Sequence, residues 1–417
     1  MFQDHAAKPV AQSTVASPTI TSPAPLARGR EFLSIPGPTN VPDVVLQAMH
    51  RPAVDIYAPD LLNATQQLLA DLKKVFRTEG STYINISNGH GAWESALTNT
   101  MSRGDHILVL ESGRFALGWG DQADLLGLTV EILPGGWRHA VDPNALEARL
   151  KADTAHAIKA ILVVQIDTAS GVVNDIPALR RAIDAANHPA LFMVDGIASV
   201  GCMEFEMDKW GVDVAITCSQ KGLMMVPGLS FVAASEKAKA IHKTADLRTA
   251  YWDWTARDLP ENYRKFCGTA PGPMLFGLQA SLKLLFEEGI ENAWARHAAL
   301  ARATQAAVAI WAEGNALEFN ILNPNERAPS VTTVLTPGFD PEALRYFTRD
   351  NCGVVLGSGI GELTGKAFRI AHMGYANAPM VLGTLTTTEV ALKALGVPHG
   401  MGAIDAAIAA LVNHFAG

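Results

Sequence analysis

The 417 residues carry a formal net charge of −8 at pH 7, with hydrophobic residues at 48% and charged residues at 18%. This length and apolar share suffice for one large and one smaller domain. The acidic balance leaves no basic footprint and argues against nucleic acid as a partner, and no run approaches the roughly 18 consecutive apolar residues of a membrane span.

Residues 1–30 are rich in Ala, Pro, Ser and Thr, a composition that buries too little surface to fold alone, so a disordered tail is expected there. Asp4, His5 and Lys8 with no apolar stretch after them argue against a secretory signal; a transit-type peptide carrying Arg28 and Arg30 is the alternative. The stretch Ile35-Pro36-Gly37-Pro38-Thr39-Asn40-Val41-Pro42 forbids helix or central strand. It is either a plain connector or an arm over an active site. Helices are expected from about Pro42 to Met49 and from about Ala58 to Phe76.

Strands and helices then alternate. Strands are expected at Tyr83–Ile86, His106–Leu110, Thr129–Leu133, Ala160–Gln165, Leu191–Val194, Val212–Ile216 and Leu229–Ala234. Between them lie helical patterns at Ala92–Met101, Gly118–Leu126, Pro143–Lys151 behind an Asp142 cap, and Pro177–Asn187. Such alternation predicts a mostly parallel sheet covered on both faces. The pattern changes after about residue 272. A long helical region, Met274–Trp311 with a break at Gly289, precedes short strands near Val331–Leu335, Val354–Leu356 and Ala367–Ala371, and a helix Gly402–Phe415 closes the chain. The organisation expected is a tail at 1–30, an arm and large domain over 31–285, and a small α+β domain over 286–417. The four cysteines, Cys202, Cys218, Cys267 and Cys352, are widely spaced without a CxxC, as reduced thiols of a cytoplasmic protein would be.

Two strand ends carry candidate chemistry. Ser219-Gln220-Lys221-Gly222 follows one apolar strand, and Asp195 ends another, 26 residues upstream (221 − 195). That gap accommodates a strand-to-strand crossover, and carboxyl ends of strands are where open α/β sheets bind ligands. A Lys and an Asp delivered to one crevice suit pyridoxal 5′-phosphate (PLP): the lysine forms a Schiff base with the aldehyde, and the carboxylate keeps the ring nitrogen protonated. The competing readings are a solvated loop lysine and a helix-capping aspartate. Asn88-Gly89-His90-Gly91 lies between a strand and a helix, where free amides and the positive dipole end form a phosphate cradle. Phe115 follows a strand end and is either core or a ring stacked on a flat cofactor. Thr168 offers a hydroxyl for a phenolic oxygen, or an ordinary turn residue. Arg369, flanked by apolar residues on a strand, is either salt-bridged or the partner of a substrate carboxylate.

Taken together these motifs resemble the class V, fold type I PLP aminotransferases, in the serine–glyoxylate and alanine–glyoxylate branch. The resemblance runs from about Phe32 to Leu411. It rests on Pro36-Gly37-Pro38-Thr39-Asn40, Gly89-His90-Gly91 with Trp93-Glu94, Thr168-Ala169-Ser170-Gly171-Val172, Val194-Asp195, Ser219-Gln220-Lys221-Gly222, Pro227-Gly228-Leu229-Ser230 and Gly365 through Ile370. Tyr251-Trp252-Asp253-Trp254, Ala295-Arg296-His297 and Leu382-Gly383-Thr384-Leu385 extend it. It implies a seven-stranded, mostly parallel sheet in the large domain. It also implies Lys221 as Schiff-base lysine and proton shuttle, Asp195 on the ring nitrogen, and Asn88, Gly89, His90 and Gln220 in the phosphate cup. Phe115 takes the ring-stacking position and Thr168 the phenolic oxygen. Thr269 corresponds to a phosphate contact from the neighbouring subunit of a homodimer. Arg369 is the carboxylate-binding arginine, with Gly37 and Tyr57 on the substrate side, and no metal is implied.

The chain departs from the pattern at Asn88 (commonly Ser or Thr), Phe266 (Tyr in some relatives), Gly268-Thr269-Ala270-Pro271, Asp55-Ile56-Tyr57 and Asp167, where the branch has glutamate. The activity implied is transfer of the amino group of serine, or alanine, to glyoxylate. Aspartate as donor is the rival; a lyase reaction and cysteine desulfuration are other chemistries of the same fold, the latter needing a cysteine on a mobile loop, whereas Cys352 precedes a strand and is read as structural.

Overall fold

The computed structural model describes residues 25–416. The expected tail therefore lies mostly outside the described residues. Within them, the Leu26 N–H donates to the Asn351 carbonyl at 2.8 Å, and Arg30 pairs with Asp43.

Seven strands form the main sheet, in the spatial order Ser81–Ile86, Leu229–Ala234, Val214–Cys218, Leu191–Asp195, Ile158–Val164, His106–Leu110, Thr129–Leu133. All neighbours run parallel except the two pairs made by Leu229–Ala234. The exception has a simple cause. The connection Ser219–Gly228 is shorter than the dozen or more residues a parallel crossover needs. The chain folds back instead, as a loop that carries Lys221 above the sheet's carboxyl edge.

The central strands read as continuous apolar runs because both faces are covered. Leu191–Asp195, Val214–Cys218 and Leu229–Ala234 are buried at every position. Alternate side chains go to opposite layers. Phe192 and Val194 join a core with Leu68 and Leu72 of the helix Pro59–Phe76 and Leu278 and Leu282 of the helix Gly272–Glu288. Leu191 and Met193 join another with Trp93, Ala96 and Trp119, from the helices Gly89–Thr100 and Arg114–Leu125. The long helical region after residue 272 breaks at Gly289, as the sequence predicts, into Gly272–Glu288 and Ile290–Ala312.

A second sheet has the order Phe32–Ser34, Val354–Ser358, Ala367–Ala371, Val331–Leu335, Glu318–Phe319. Its core gathers Leu300, Trp311, Leu344, Phe368 and Leu385. Phe32–Ser34 pairs parallel with Val354–Leu356, so the N-terminal arm begins as an edge strand of this second sheet.

Two differences from the sequence pattern bear on the site. The helix expected from Gly118 starts at Arg114, because the carboxylate of Asp167 accepts the first-turn N–H groups of Phe115 (2.8 Å) and Ala116 (3.0 Å). The helix expected from Ala92 starts at Gly89, because Asn88 caps it: its Oδ1 accepts the His90 N–H at 3.1 Å. The helices Pro341–Cys352 and Ala378–Ala394 are absent from the sequence pattern. The second carries the β-branched run Thr386-Thr387-Thr388, which weakens a helical signal. No helix among the described residues is long and apolar enough to cross a membrane.

Candidate active site

A cavity of about 200 Å³ opens at the carboxyl edge of the main sheet. Its lining includes Asn88, Gly89, His90, Phe115, Thr168, Asp195, Gln220 and Lys221, every one of them a candidate from the sequence. Trp93, Ile197 and Cys218 line it as well.

Asp195 ends its strand at the floor and is almost wholly buried. Its Oδ2 accepts the Trp93 Nε1–H at 2.7 Å, and its Oδ1 accepts the Ile197 N–H at 2.7 Å. Burial pushes the carboxyl up to about 7, although both donors and the nearby Lys221 favour the carboxylate. Lys221 is the complementary case. Enclosure in the cavity lowers its amine below the usual lysine range, helped by the positive charge of Arg369 and opposed by Asp195. Its Nζ donates to the Pro36 carbonyl of the arm. Gly37 adjoins it. A Cβ on Gly37 would stand 2.6 Å from Lys221 Nζ, and its φ of +99° is one that side-chain-bearing residues avoid. The proline-rich stretch is thus an arm against the Lys221 amine.

The far wall belongs to the helix Gly89–Thr100, whose amino end faces the cavity through Gly89 and His90. Asn88 is the helix cap and spends its carbonyl oxygen on the backbone. The His90 ring packs edge-on against Trp93, with centroids 4.6 Å apart. On the helix's other side the motif Tyr251-Trp252-Asp253-Trp254 acts as a buttress. Trp252 Nε1 donates to Glu94 (3.1 Å), Asn99 donates to the Trp252 carbonyl (2.9 Å), and the Trp254 N–H donates to Asn99 (2.9 Å). Gln220 Oε1 is buried without a hydrogen-bond partner among the described residues.

Arg369 does not line the cavity. It lies one layer behind it, on the strand Ala367–Ala371, nearly fully buried. Its Nη1 donates to the Thr168 carbonyl (2.9 Å) and its Nε to the Ser358 carbonyl (2.7 Å). Burial brings it down to about 10, while the neighbouring Asp167 favours its charge. Asp167 is itself fully buried, and burial pushes its carboxyl up against three backbone donors, Ala116, Ala169 and Phe115. One carboxylate therefore starts the Phe115 helix, turns the chain at Thr168 and faces Arg369.

Besides Arg369, Tyr57 and Thr269 are not brought to this cavity. Tyr57 is exposed on the turn before the helix Pro59–Phe76, and Thr269 is exposed after the short turn Asn262–Phe266. Cys352 closes the helix Pro341–Cys352 and is not in the lining either. The cysteine that is present, Cys218, sits on a rigid central strand, and burial holds its thiol up at about 12. Sequence reasoning missed the partners of Asp195. Trp93 stands in a motif noted along the chain, but an apolar helix position is indistinguishable there from ordinary core.

The donor set fits a flat, phosphorylated aldehyde. A deprotonation-prone amine and a carboxyl poised near neutrality share one cavity, with apolar walls at Phe115 and Ile197 and a helix amino end for an anion. A family model described as Aminotransferase class-V matches residues 32–368. The serine–glyoxylate aminotransferase of Methylorubrum extorquens is 41% identical over 376 residues, 88% of this chain and 92% of that protein. The L-aspartate–glyoxylate aminotransferase of Paracoccus denitrificans is 37% identical over 385 residues, 91% of this chain and 95% of that one. The crystal structure of pyridoxamine–pyruvate aminotransferase from Mesorhizobium loti superposes with a TM-score of 0.83 at 30% identity, over 92% of this chain and 98% of that chain.

Proposed function

The chain belongs to the PLP-dependent class V aminotransferases, and we propose that it moves the amino group of serine to glyoxylate, yielding hydroxypyruvate and glycine. The observation that carries this reading is the enclosure of Lys221 and Asp195 in one cavity, with burial lowering the amine below its ordinary range and the acid held at the sheet edge by Trp93. The serine–glyoxylate relative supplies the substrates.

PLP supplies an aldehyde for amines and a ring that draws electrons from the substrate's α-carbon. Lys221 would hold it covalently and, when displaced by the substrate amine, take the α-proton on Nζ and return it. A lowered amine pKa suits both tasks, because only the neutral amine is nucleophilic or basic. Asp195 would hold the proton on the ring nitrogen. Asn88, Gly89, His90 and Gln220 would hold the phosphate, Phe115 and Ile197 would wall the ring, and Thr168 would meet the phenolic oxygen. Arg369, tied through Nε and Nη1 to carbonyls one layer behind the cavity, would offer Nη2 to the substrate carboxylate. Gly37 leaves the approach to Lys221 open. In this reading the enzyme is a cytoplasmic homodimer, with Thr269 offered to the neighbouring subunit's phosphate, residues 31–285 as its N-terminal arm and large domain and 286–417 as its small one.

Aspartate is the second reading. The Paracoccus denitrificans relative favours it. A donor panel of serine, alanine, aspartate and cysteine against glyoxylate, pyruvate and 2-oxoglutarate separates the readings. Serine with glyoxylate is expected to give the highest kcat/KM with glycine as product. A lead for aspartate or alanine would overturn the serine assignment, and sulfide from cysteine would point to desulfuration.

A further inference from the structure

Arg296 and His297 lie on the helix Ile290–Ala312, outside the cavity, and none of the chemistry above uses them. Their side chains converge on one glycine. Glu288 meets Arg296 through Nε (2.6 Å) and Nη2 (2.9 Å). The remaining arm, Nη1, donates to the carbonyls of Gly374 (3.0 Å) and Ala376 (2.8 Å). His297 is wholly buried, and its Nε2 accepts the Gly374 N–H at 2.9 Å. That bond makes Nδ1 the protonated nitrogen, which donates to the Ala293 carbonyl at 2.6 Å. One helix therefore holds both backbone groups of Gly374.

Gly374 in turn backs the lysine. At its φ of +71°, a Cβ would stand 2.8 Å from the Lys221 carbonyl oxygen and 3.0 Å from Thr39 Oγ1. Thr39 Oγ1 donates to that same carbonyl at 3.1 Å, and its N–H donates to the Gln220 carbonyl at 3.2 Å. A Cβ on Gly201 would likewise stand 3.1 Å from the Gly222 backbone. The peptides on either side of the Lys221 side chain are thus packed closely enough that only glycine fits at Gly201 and Gly374. The strand Ala367–Ala371, bearing Arg369, runs directly into Gly374.

We propose that Arg296 and His297 are positioning residues: they clamp Gly374 against the Lys221 peptide, and so set the reactive amine and the carboxylate-binding arginine at one fixed separation. The proposal rests on the reading of Lys221 as the PLP-capturing amine and of Arg369 as the carboxylate partner. Loosening the clamp should displace both groups together, and a shift of about 1 Å can cost on the order of 100-fold in rate.

The test measures PLP capture by the apoenzyme in stopped flow, then kcat and KM for the amino donor, in Arg296→Lys, His297→Leu and His297→Gln. Arg296→Lys and His297→Leu are expected to slow capture by about 10- to 100-fold and to raise KM as well as lower kcat. His297→Gln keeps an acceptor for Gly374 and is expected to recover most of the rate. Should Arg296→Lys not fold, the contrast between His297→Leu and His297→Gln carries the result. Capture and KM at wild-type values in the folded variants, even with a lowered melting temperature, would overturn the clamp alone. A wild-type apoenzyme that captures no PLP would defeat the reading of Lys221, and the clamp with it.

Discussion

The indole N–H of Trp93 donates to Asp195 Oδ2 at 2.7 Å, at the floor of the cavity. It is one of two donors that hold this carboxyl in place, the other being the Ile197 N–H. A buried carboxyl with few partners is costly, so each donor matters to stability as well as to orientation.

Trp93→Phe keeps the ring packing against Trp119 and His90 and removes the N–H. The unfolding free energy should fall by about 1–3 kcal/mol, the cost of an unmade buried bond. Urea titration of the apoenzyme measures it, and PLP retention on dialysis should fall in parallel. A variant as stable as wild type would show that Trp93 only packs.

Asp195→Asn tests the proton at the cavity floor. In the apoenzyme the folded carboxyl is raised from its ordinary 3.8 to about 7. Between those values the folded chain keeps a proton that the unfolded chain has released. The stability this gives is full below pH 3.8 and is lost as pH rises to about 7, at a slope of at most about 1.4 kcal/mol per pH unit. The amide cannot titrate, so the difference in stability between wild type and variant should change with pH over that window. An identical slope in the two apoenzymes would contradict the raised carboxyl. Turnover in the variant should drop by about 100-fold or more.

Lys221→Ala should abolish turnover together with the yellow, borohydride-bleachable absorbance of the holoenzyme. The fold should survive, since the side chain contributes one bond to the Pro36 carbonyl. Retention of both colour and activity would remove Lys221 from the chemistry.

Arg369→Lys keeps the charge but loses the planar fork that ties Thr168 and Ser358 at once. If Arg369 binds the substrate carboxylate as proposed, the donor KM should rise by about 10-fold or more, with a smaller fall in kcat, because that contact would lie away from the reacting bond. Steady-state kinetics with serine decides it. A variant altered in kcat alone would place Arg369 outside substrate binding.

Much of the site is legible along the chain. His106–Leu110 and Leu229–Ala234 appear where their apolar runs place them, because a doubly covered strand is written entirely in local residues, and the edge strand Thr129–Leu133 appears where its β-branched alternation places it. The start of the helix at Arg114 is not legible, since its cap is Asp167, a residue of a different sheet segment. Phe32–Ser34 is not legible as a strand of the second sheet, because its partner Val354–Leu356 lies near the other end of the chain.

The local pattern by itself put Asp195 and Lys221 at the carboxyl ends of buried strands and Gly89 at a helix amino end, because strand, turn and cap preferences act over a few residues. What stands behind each charge was decided only in the folded chain: Trp93 under Asp195, Asp167 and Thr168 beside Arg369, Gly374 behind the lysine peptide. Burial and hydrogen bonding depend on which distant segments share a layer, and it is those two that move an amine and a carboxyl away from their ordinary protonation.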